Sequence, residues 1–313
     1  MDGDELDARD AWHLSRRIGL RRLLLDSFVR FRYADGFSHS RALAFQACLS
    51  VVPFLLALSG LASDLDHRAP AMVLAATIER LSPGGGSRDA LASAVRAGTT
   101  GEHAGEIALV LGLIVSFASM TTAMAQVERG TNRIYGIERD RRAVAKYGRA
   151  LVLTAVLAVP VGLGFLLLVA GEAFGSAMRT VYSWSPHTVT VWNLVRWPVG
   201  LVLLVVTVAV LLDHAPRRRQ PALSWLALGS AVSVLLTMVA TGLLASYVRL
   251  SSSFDQVYGP LGGVFALLLW SLLSSIALFA GAAVCAQLEF LRAGLREPAH
   301  EDPGPPPTHV LHD

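Results

Sequence analysis

The chain has 313 residues, of which 53% are hydrophobic and 16% charged, and its mean hydropathy is +0.49. Soluble domains carry about 25% charged residues, so this balance excludes an ordinary water-soluble globular protein. It also excludes a largely disordered chain, because disordered segments are poor in apolar residues and rich in net charge, whereas the net charge here is only +3. The remaining class is a membrane protein.

The first 41 residues precede the first long apolar run and form the predicted cytoplasmic N-terminal segment. Within it, residues 11–33 are predicted to form one amphipathic helix, with an apolar stripe of Leu20, Leu24, Phe28 and Phe31. We expect this helix to lie in the membrane interface with its arginines on anionic lipid. The alternative is a cytoplasmic helix that packs on the membrane domain.

Six apolar runs follow, each long enough to cross about 30 Å of hydrocarbon as a helix. They occupy residues 42–62, 107–127, 150–171, 191–212, 222–248 and 256–288. The fourth run is extended back through Arg196, whose side chain is expected to reach the interface. We therefore predict an all-α polytopic membrane protein whose six-helix bundle occupies residues 42–292.

The segments outside the spans have different characters. The loop of residues 63–106 is longer than most connections, and 71–81 and 88–97 have helical apolar spacing on either side of a Ser-Pro-Gly-Gly-Gly turn, which predicts an external helical hairpin. Residues 293–313 contain five prolines and no apolar period, which predicts a disordered cytoplasmic tail.

The distribution of basic residues predicts the orientation. Loops rich in Lys and Arg stay in the cytoplasm. Of the 27 basic residues, 20 fall before the first span, between the second and third, between the fourth and fifth, and after the sixth. Both termini are therefore expected on the cytoplasmic side.

Motifs of common enzymes are missing from the sequence. It contains no Gly-x-Ser-x-Gly elbow, His-Glu-x-x-His pair, Walker loop or Cys-x-x-Cys motif. Cys48 and Cys285 lie inside apolar runs, as buried thiols do, and no aromatic-basic module accompanies the arginines. We predict no catalytic residue, cofactor or metal site and no nucleic-acid partner.

Helix breakers are the clearest irregularities within the spans. Pro53, Pro160 and Pro198 lie inside or at the start of apolar runs, and Pro260 lies in the Gly-Pro-rich stretch 258–263. Backbone groups freed by such residues can line a cavity, while simple kinks and close packing through glycine are the alternative. The 33-residue sixth run exceeds one crossing, so its start is a candidate re-entrant segment.

Three ordered motifs resemble those of the YihY/BrkB family of bacterial inner-membrane proteins. They are the stretches 42–53 (Ala-Leu-Ala-Phe-Gln-Ala-Cys-Leu-Ser-Val-Val-Pro), 131–136 (Thr-Asn-Arg-Ile-Tyr-Gly) and 257–263 (Val-Tyr-Gly-Pro-Leu-Gly-Gly) followed by Leu269-Trp270. Together with the helix breaks, these motifs mark the candidate functional residues Ser50, Pro53, Asn132, Arg133, Tyr258, Gly259, Gly262, Gly263 and Trp270.

The chain departs from the family pattern at two places. Phe45 stands where the family usually has tyrosine, and Gly281-Ala282-Ala283 stands where it has Gly-Ala-Glu. Without that glutamate, the chain lacks the family's intramembrane carboxylate, the best candidate for ion coupling.

The resemblance implies six helices, cytoplasmic termini and residence in the bacterial inner membrane. The six spans, the broken helices, the Arg-rich N-terminal segment and the external hairpin favour a transporter or exporter of lipid or another envelope component, with membrane lipids as partners. No enzymatic activity is expected, because the common catalytic motifs are missing. A non-catalytic envelope scaffold that binds protein partners or forms a homo-oligomer is the alternative. Nuclease activity is not expected, because the sequence lacks the clustered metal ligands that it would need. The family's former label of ribonuclease BN was attached in error.

Overall fold

The computed structural model describes residues 8–64, 104–168, 170–250 and 262–294, which form helices and no strands. The described helices, in chain order, are α1 (Ala8–Ile18), α2 (Leu20–Tyr33), α3 (Gly36–Asp64), α4 (Ala104–Ile134), α5 (Ala143–Leu168), α6 (Gly171–Tyr182), α7 (Pro186–His214), α8 (Leu223–Leu250) and α9 (Gly262–Arg292). The all-α prediction is confirmed. The predicted external hairpin and all but the first two residues of the predicted tail lie outside the described residues.

Five of the described helices are long and apolar enough to cross a membrane. They are Leu109–Ile134, Ala143–Leu168, Pro186–His214, Leu223–Val248 and Gly262–Arg292. The predicted span at 42–62 lies within the 29-residue α3, which is not one of the five. The chain is therefore an all-α polytopic membrane protein, while the count of six spans stays a prediction.

The N-terminal segment contains two helices rather than the single predicted one. Gly19 has a φ of 90° and separates α1 from α2, because this left-handed backbone region ends a right-handed helix. One face of α2 packs on α9, with Leu23 and Phe31 almost fully buried. This face therefore agrees with the alternative prediction of a helix that packs on the membrane domain. Phe31, which was predicted to share one apolar stripe with Leu20 and Phe28, is buried whereas those two residues are exposed.

The other face of α2 remains apolar and exposed. Leu20, Leu24 and Phe28 are 63%, 43% and 52% exposed, and Leu25 lies beside them at 55%. A helix that buries one side in the protein and leaves leucines on the other has a surface suited to the acyl-chain boundary. The expectation of an interfacial location thus applies to this exposed face.

Helices α3 and α4 pack as an antiparallel pair along a seam of small and polar residues. A Cβ atom added at Gly112 would lie 2.6 Å from the Ala57 amide nitrogen and 2.7 Å from the Pro53 carbonyl oxygen. Further along, Ser116 Oγ donates to the Ser50 carbonyl at 3.3 Å. Small residues let the two backbones approach, which favours helix association in lipid.

Helices α8 and α9 form the second close pair. A Cβ added at Gly281 would overlap Ser233 Oγ and the Gly229 carbonyl, so the two backbones are nearly in contact there. Ala283, at the position of the family's glutamate, is fully buried in the hydrophobic core. This site offers close helix packing and no space for a solvated charge.

The third and fourth predicted spans differ from the observed helices in their limits. The span predicted at 150–171 corresponds to α5, which ends at Leu168, and residues 171–182 form the separate short helix α6 that the sequence analysis missed. The span predicted at 191–212 lies in α7, whose first turn is capped by Ser185 Oγ accepting from the Thr188 amide at 3.1 Å.

The three prolines inside described helices do not interrupt them. Pro53, Pro160 and Pro198 lie within α3, α5 and α7, and each helix continues past its proline. Backbone groups freed by a proline in a membrane helix are satisfied locally or by neighbouring helices. At Pro53, α3 also packs closely on α4, since the Pro53 carbonyl lies beside Gly112.

The close approach of α8 and α9 leads to a stability prediction. Gly281→Ala should lower the apparent melting temperature in detergent, because the added methyl overlaps Ser233 and the Gly229 backbone and overpacking typically costs about 1–3 kcal/mol. Gly242→Ala is the matched control on α8, since a Cβ there meets no atom within 4 Å. Equal melting temperatures for the two variants would contradict the observed packing.

Candidate functional site

Six helix ends meet at one end of the molecule, which we call the arginine-rich end. Here α3 and α8 begin, α4 ends and α5 begins, and α7 and α9 end. The connections 135–142 and 215–222 join α4 to α5 and α7 to α8. The charge distribution predicts that this end is cytoplasmic.

Asn132 is the centre of a polar network at the arginine-rich end. Its side chain is fully buried at the end of α4. The amide Nδ2 donates to Asp140 Oδ1 at 3.1 Å, and Oδ1 accepts from the Arg217 backbone amide at 2.8 Å. One side chain thereby links α4 to both connections at this end.

Asp140 carries the negative charge of the network. Its Oδ2 lies 2.9 Å from Lys146 Nζ and 3.3 Å from Arg129 Nε. Burial raises the pKa of Asp140, but the hydrogen bonds from Lys146 and Asn132 and the charges of Lys146 and Arg129 outweigh it, so the pKa is lowered overall. The carboxylate is therefore ionised at neutral pH.

Two further arginines connect the helix ends. Arg141 Nη1 lies 3.0 Å from Glu128 Oε2, and the same guanidinium donates to the carbonyls of Ala215 and Pro216 at 3.1 and 2.9 Å. Arg218 pairs with Glu289 on α9, and its guanidinium lies 4.6 Å from the centre of the Tyr135 ring. The arginines here are largely occupied within the chain.

Part of this network was not found from the sequence. Asn132 is a candidate from the motifs, but Glu128, Arg129, Asp140 and Glu289 are not among the residues that the motifs mark. In the sequence, Asp140 stands out only as an acid within a run of basic residues. That run includes Lys146, the one lysine of the chain. Arg141 bonds to Ala215 in a distant connection, and Arg217 bonds to Asn132 on α4. Both partners are more than 70 residues away, so no local pattern identifies them.

An apolar groove lies between α3, α8 and α9. Its volume is about 400 Å³, within the range of small-molecule sites. The lining residues are mostly apolar and are Arg41, Ala44, Phe45, Leu244, Tyr247, Phe265, Ala266, Leu268, Leu269 and Leu272. Phe45, Tyr247 and Phe265 are about half exposed, so the groove is open on one side.

Arg41 is the charged residue of the groove. It is exposed, and its Nε and Nη2 donate to the Phe37 carbonyl at 3.3 Å and to Ser38 Oγ at 3.4 Å. In the described part of the chain, no carboxylate lies within 4 Å of its guanidinium. An apolar wall beside an unpaired cation suits an amphiphile with an anionic group.

The candidate residues from the sequence occupy different places. Ser50 and Pro53 lie on the α3–α4 seam, where the buried Ser50 hydroxyl donates to the Ala47 carbonyl at 2.6 Å. Trp270 lies on α9 and donates through Nε1 to Thr241 Oγ1 of α8 at 3.0 Å. These residues take part in helix packing and do not converge on one site.

The remaining candidates lie at helix ends or outside the described residues. Arg133 is exposed next to the buried Asn132. Gly262 and Gly263 begin α9, with Gly262 buried. Tyr258 and Gly259 lie outside the described residues, as does the predicted re-entrant start of the sixth span. Within the described ranges, His, Cys, Asp and Glu form no group of three that could hold a metal ion.

The network predicts different effects for two adjacent residues. Asn132→Ala should lower the apparent melting temperature, because it leaves the Arg217 amide and one Asp140 oxygen without their partner at a cost of about 1–3 kcal/mol. Arg133→Gln is the control, since substitutions at exposed positions usually change stability by less than about 0.5 kcal/mol. A larger loss for Arg133→Gln would refute the assignment of Asn132 as the central residue.

The lowered pKa of Asp140 predicts an acid-dependent loss of stability. Its carboxylate contributes fully above the pKa of the unfolded state, and that contribution is lost as the pH falls through the lower pKa of the folded state. Wild-type protein should therefore melt at progressively lower temperature as the pH falls below about 4. Asp140→Asn should show a smaller pH dependence over that interval, and identical curves would contradict the prediction.

Comparison with known proteins gives relatives over most of the chain. A putative ribonuclease-like protein, YfkH, of Bacillus subtilis is 25% identical over 265 residues, covering 85% of this chain and 94% of that protein. A UPF0761 membrane protein of Chromohalobacter salexigens is 26% identical over 281 residues, covering 85% of this chain and 63% of that protein.

A UPF0761 membrane protein of Pseudomonas aeruginosa strain LESB58 is 26% identical over 289 residues, covering 87% of this chain. The chain spans just under two thirds of the length of these two UPF0761 relatives. No solved structure matches the chain. The family described as virulence factor BrkB matches residues 27–304, which include every helix from α3 to α9. The chain therefore belongs to the BrkB family of membrane proteins.

Proposed function

We propose that the chain resides in the bacterial cytoplasmic membrane with both termini in the cytoplasm, and that it binds and moves a membrane lipid or another amphiphilic envelope component. The groove between α3, α8 and α9 is the observation that carries this proposal. The orientation is supported by the 20 basic residues assigned to the cytoplasmic side.

The walls of the groove fit the apolar part of such a ligand. Helices α8 and α9 are candidate membrane spans, so a groove open between them and α3 faces the hydrocarbon. Phe45 and Leu269 line it from two of the three sequence motifs, although 223 other residues separate them in the chain. The fold thus brings two family motifs together on one apolar surface.

Arg41 supplies the polar part of the recognition. Its guanidinium has only two long hydrogen bonds, at 3.3 and 3.4 Å, and pairs with no carboxylate in the described ranges. Guanidinium groups bind phosphate and carboxylate oxygens strongly and with defined geometry. An amphiphile with an anionic headgroup would therefore place its charge at Arg41 and its chain along Phe45 and Leu269.

A non-catalytic envelope scaffold is the second candidate function. It is favoured because ion-coupled transport would need a carboxylate in mid-membrane, and the described carboxylates lie elsewhere. In the described membrane-span candidates, Glu128, Asp213 and Glu289 are the carboxylates, and each lies within two turns of a helix end. At the position of the family's glutamate, Ala283 is buried in the core. No described carboxylate is thus placed in mid-membrane to couple transport to an ion.

The transport proposal is tested by following a fluorescent phospholipid between the leaflets of liposomes that contain the purified protein. Transfer should be faster than in protein-free liposomes. Ala266→Phe should place a phenyl ring in the groove and reduce the protein-dependent rate at least about tenfold. A tenfold loss corresponds to about 1.4 kcal/mol of lost binding free energy. Val206→Phe is the control, since Val206 is 52% exposed on α7 and does not line the groove.

The alternatives predict different results in the same preparation. Transfer no faster than in protein-free liposomes would refute unassisted lipid movement. If the protein also remained in a stable complex with envelope proteins after solubilisation, the scaffold would be favoured. Equal transfer by Ala266→Phe and Val206→Phe would show that lipid moves by a route other than the groove.

A further inference from the structure

A buried arginine without a carboxylate partner lies away from the groove, at the junction between α5 and α6. Arg196 is on α7, and only 7% of its surface is exposed. Its Nη1 donates to the Leu167 carbonyl near the end of α5 at a long 3.4 Å. Its Nε is buried and has no hydrogen-bond partner. Within the described ranges, no carboxylate lies within 4 Å of the guanidinium.

The guanidinium lies against the first residue of α6. The position of a Cβ at Gly171 is 2.8 Å from both Cδ and Nη1 of Arg196, so only glycine permits this approach. Helix α6 is 12 residues long, and its N-cap residue, Ala170, provides no side-chain acceptor for the first amides. The positive end of a helix dipole and a buried cation therefore lie side by side.

The guanidinium also lies 5.2 Å from the centre of the Trp197 ring, a cation–π contact that offsets part of the cost of its burial. The arrangement still lacks a full counter-charge. A buried cation normally has a counter-charge, and a charged residue in a membrane span is costly unless it is paired. Glu172 is exposed beside Gly171 and forms no ion pair with Arg196. The unpartnered Nε of Arg196 therefore points to an anion from outside the chain.

Aromatic side chains surround the junction. The ring centres of Phe174, Trp184 and Trp192 lie 5.4–6.4 Å from one another. Trp192 Nε1 donates to the Gly171 carbonyl at 2.7 Å, which occupies that acceptor and fixes the ring beside the start of α6. Clusters of tryptophan are typical of the membrane–water interface, the depth at which lipid phosphates lie.

We propose that Arg196 and the first turn of α6 bind a phosphate oxyanion, carried by a phospholipid headgroup or by free phosphate. The guanidinium donates charge-assisted hydrogen bonds to the oxyanion, and the first amides of α6 donate along the helix dipole. This site is separate from the groove that carries the proposed function, and binding here requires no transport.

Native mass spectrometry of the full chain in detergent tests the proposal with two matched lipids. Phosphatidylglycerol should bind more tightly than diacylglycerol with the same acyl chains, because only the former carries phosphate. Arg196→Gln should weaken phosphatidylglycerol binding at least about tenfold, as expected for the loss of a charge-assisted hydrogen bond. Arg179→Gln, which removes an exposed arginine from α6, should leave binding unchanged.

Two further variants separate binding from folding. Gly171→Ala keeps every charge but places a methyl 2.8 Å from Cδ and Nη1 of Arg196, and it should weaken phosphatidylglycerol binding. Arg196→Lys keeps the charge and loses the planar guanidinium, and it should bind with intermediate affinity. Both variants should elute from a sizing column as the wild type does, which shows that they are folded.

Competition with inorganic phosphate identifies the source of the oxyanion. Displacement of phosphatidylglycerol by millimolar phosphate indicates a site for the free ion, whereas resistance indicates a lipid headgroup. Equal phosphatidylglycerol binding by wild type, Arg196→Gln and Gly171→Ala would overturn the proposal, as would an equal loss in Arg179→Gln. Ala266→Phe should leave this binding unchanged, so failure of lipid transport and failure of this site give different results.

Discussion

Close contact between helix backbones at glycine positions is the constraint on which the described structure depends. Lipid provides little hydrophobic driving force between membrane helices, so their association relies on van der Waals packing and interhelical hydrogen bonds. Gly112 brings α4 against α3, and Gly281 brings α9 against Gly229 and Ser233 of α8. The two pairs meet at the fully buried Phe279, whose ring lies where a Cβ at Gly130 would be.

Because these pairs fix the helix ends, the polar groups at the arginine-rich end have partners from distant parts of the chain. Asn132 and Arg141 join connections that are far apart in sequence, and Arg218 reaches α9. Most of the cations there have acceptors in the protein. Arg41 and Arg196 make only long hydrogen bonds, at 3.3–3.4 Å, and neither pairs with a carboxylate in the described ranges. The two proposals rest on these two weakly bonded arginines.

The sequence predicted the all-α fold class correctly, but it did not predict where the helices are interrupted. Apolar run length is set by the thickness of the hydrocarbon, and five of the six predicted spans correspond to helices long and apolar enough to cross a membrane. The break at Gly19 and the separate helix α6 were missed, because a short interruption hardly changes the composition of an apolar or amphipathic stretch. Among the candidate residues, Asn132 has a specific structural role, whereas Ser50 and Trp270 contribute to separate helix contacts.

The sequence by itself determined that the chain is an all-α membrane protein and supplied the motifs shared with the BrkB family. These properties depend on residues close together in the chain, where hydropathy and spacing are directly readable. Only the tertiary structure decided that Phe45 and Leu269 line one groove, that Ala283 is enclosed in the core, and that Arg196 lies against Gly171. Those relations depend on how distant helices cross, which is fixed by side-chain shape at their contacts rather than by local composition.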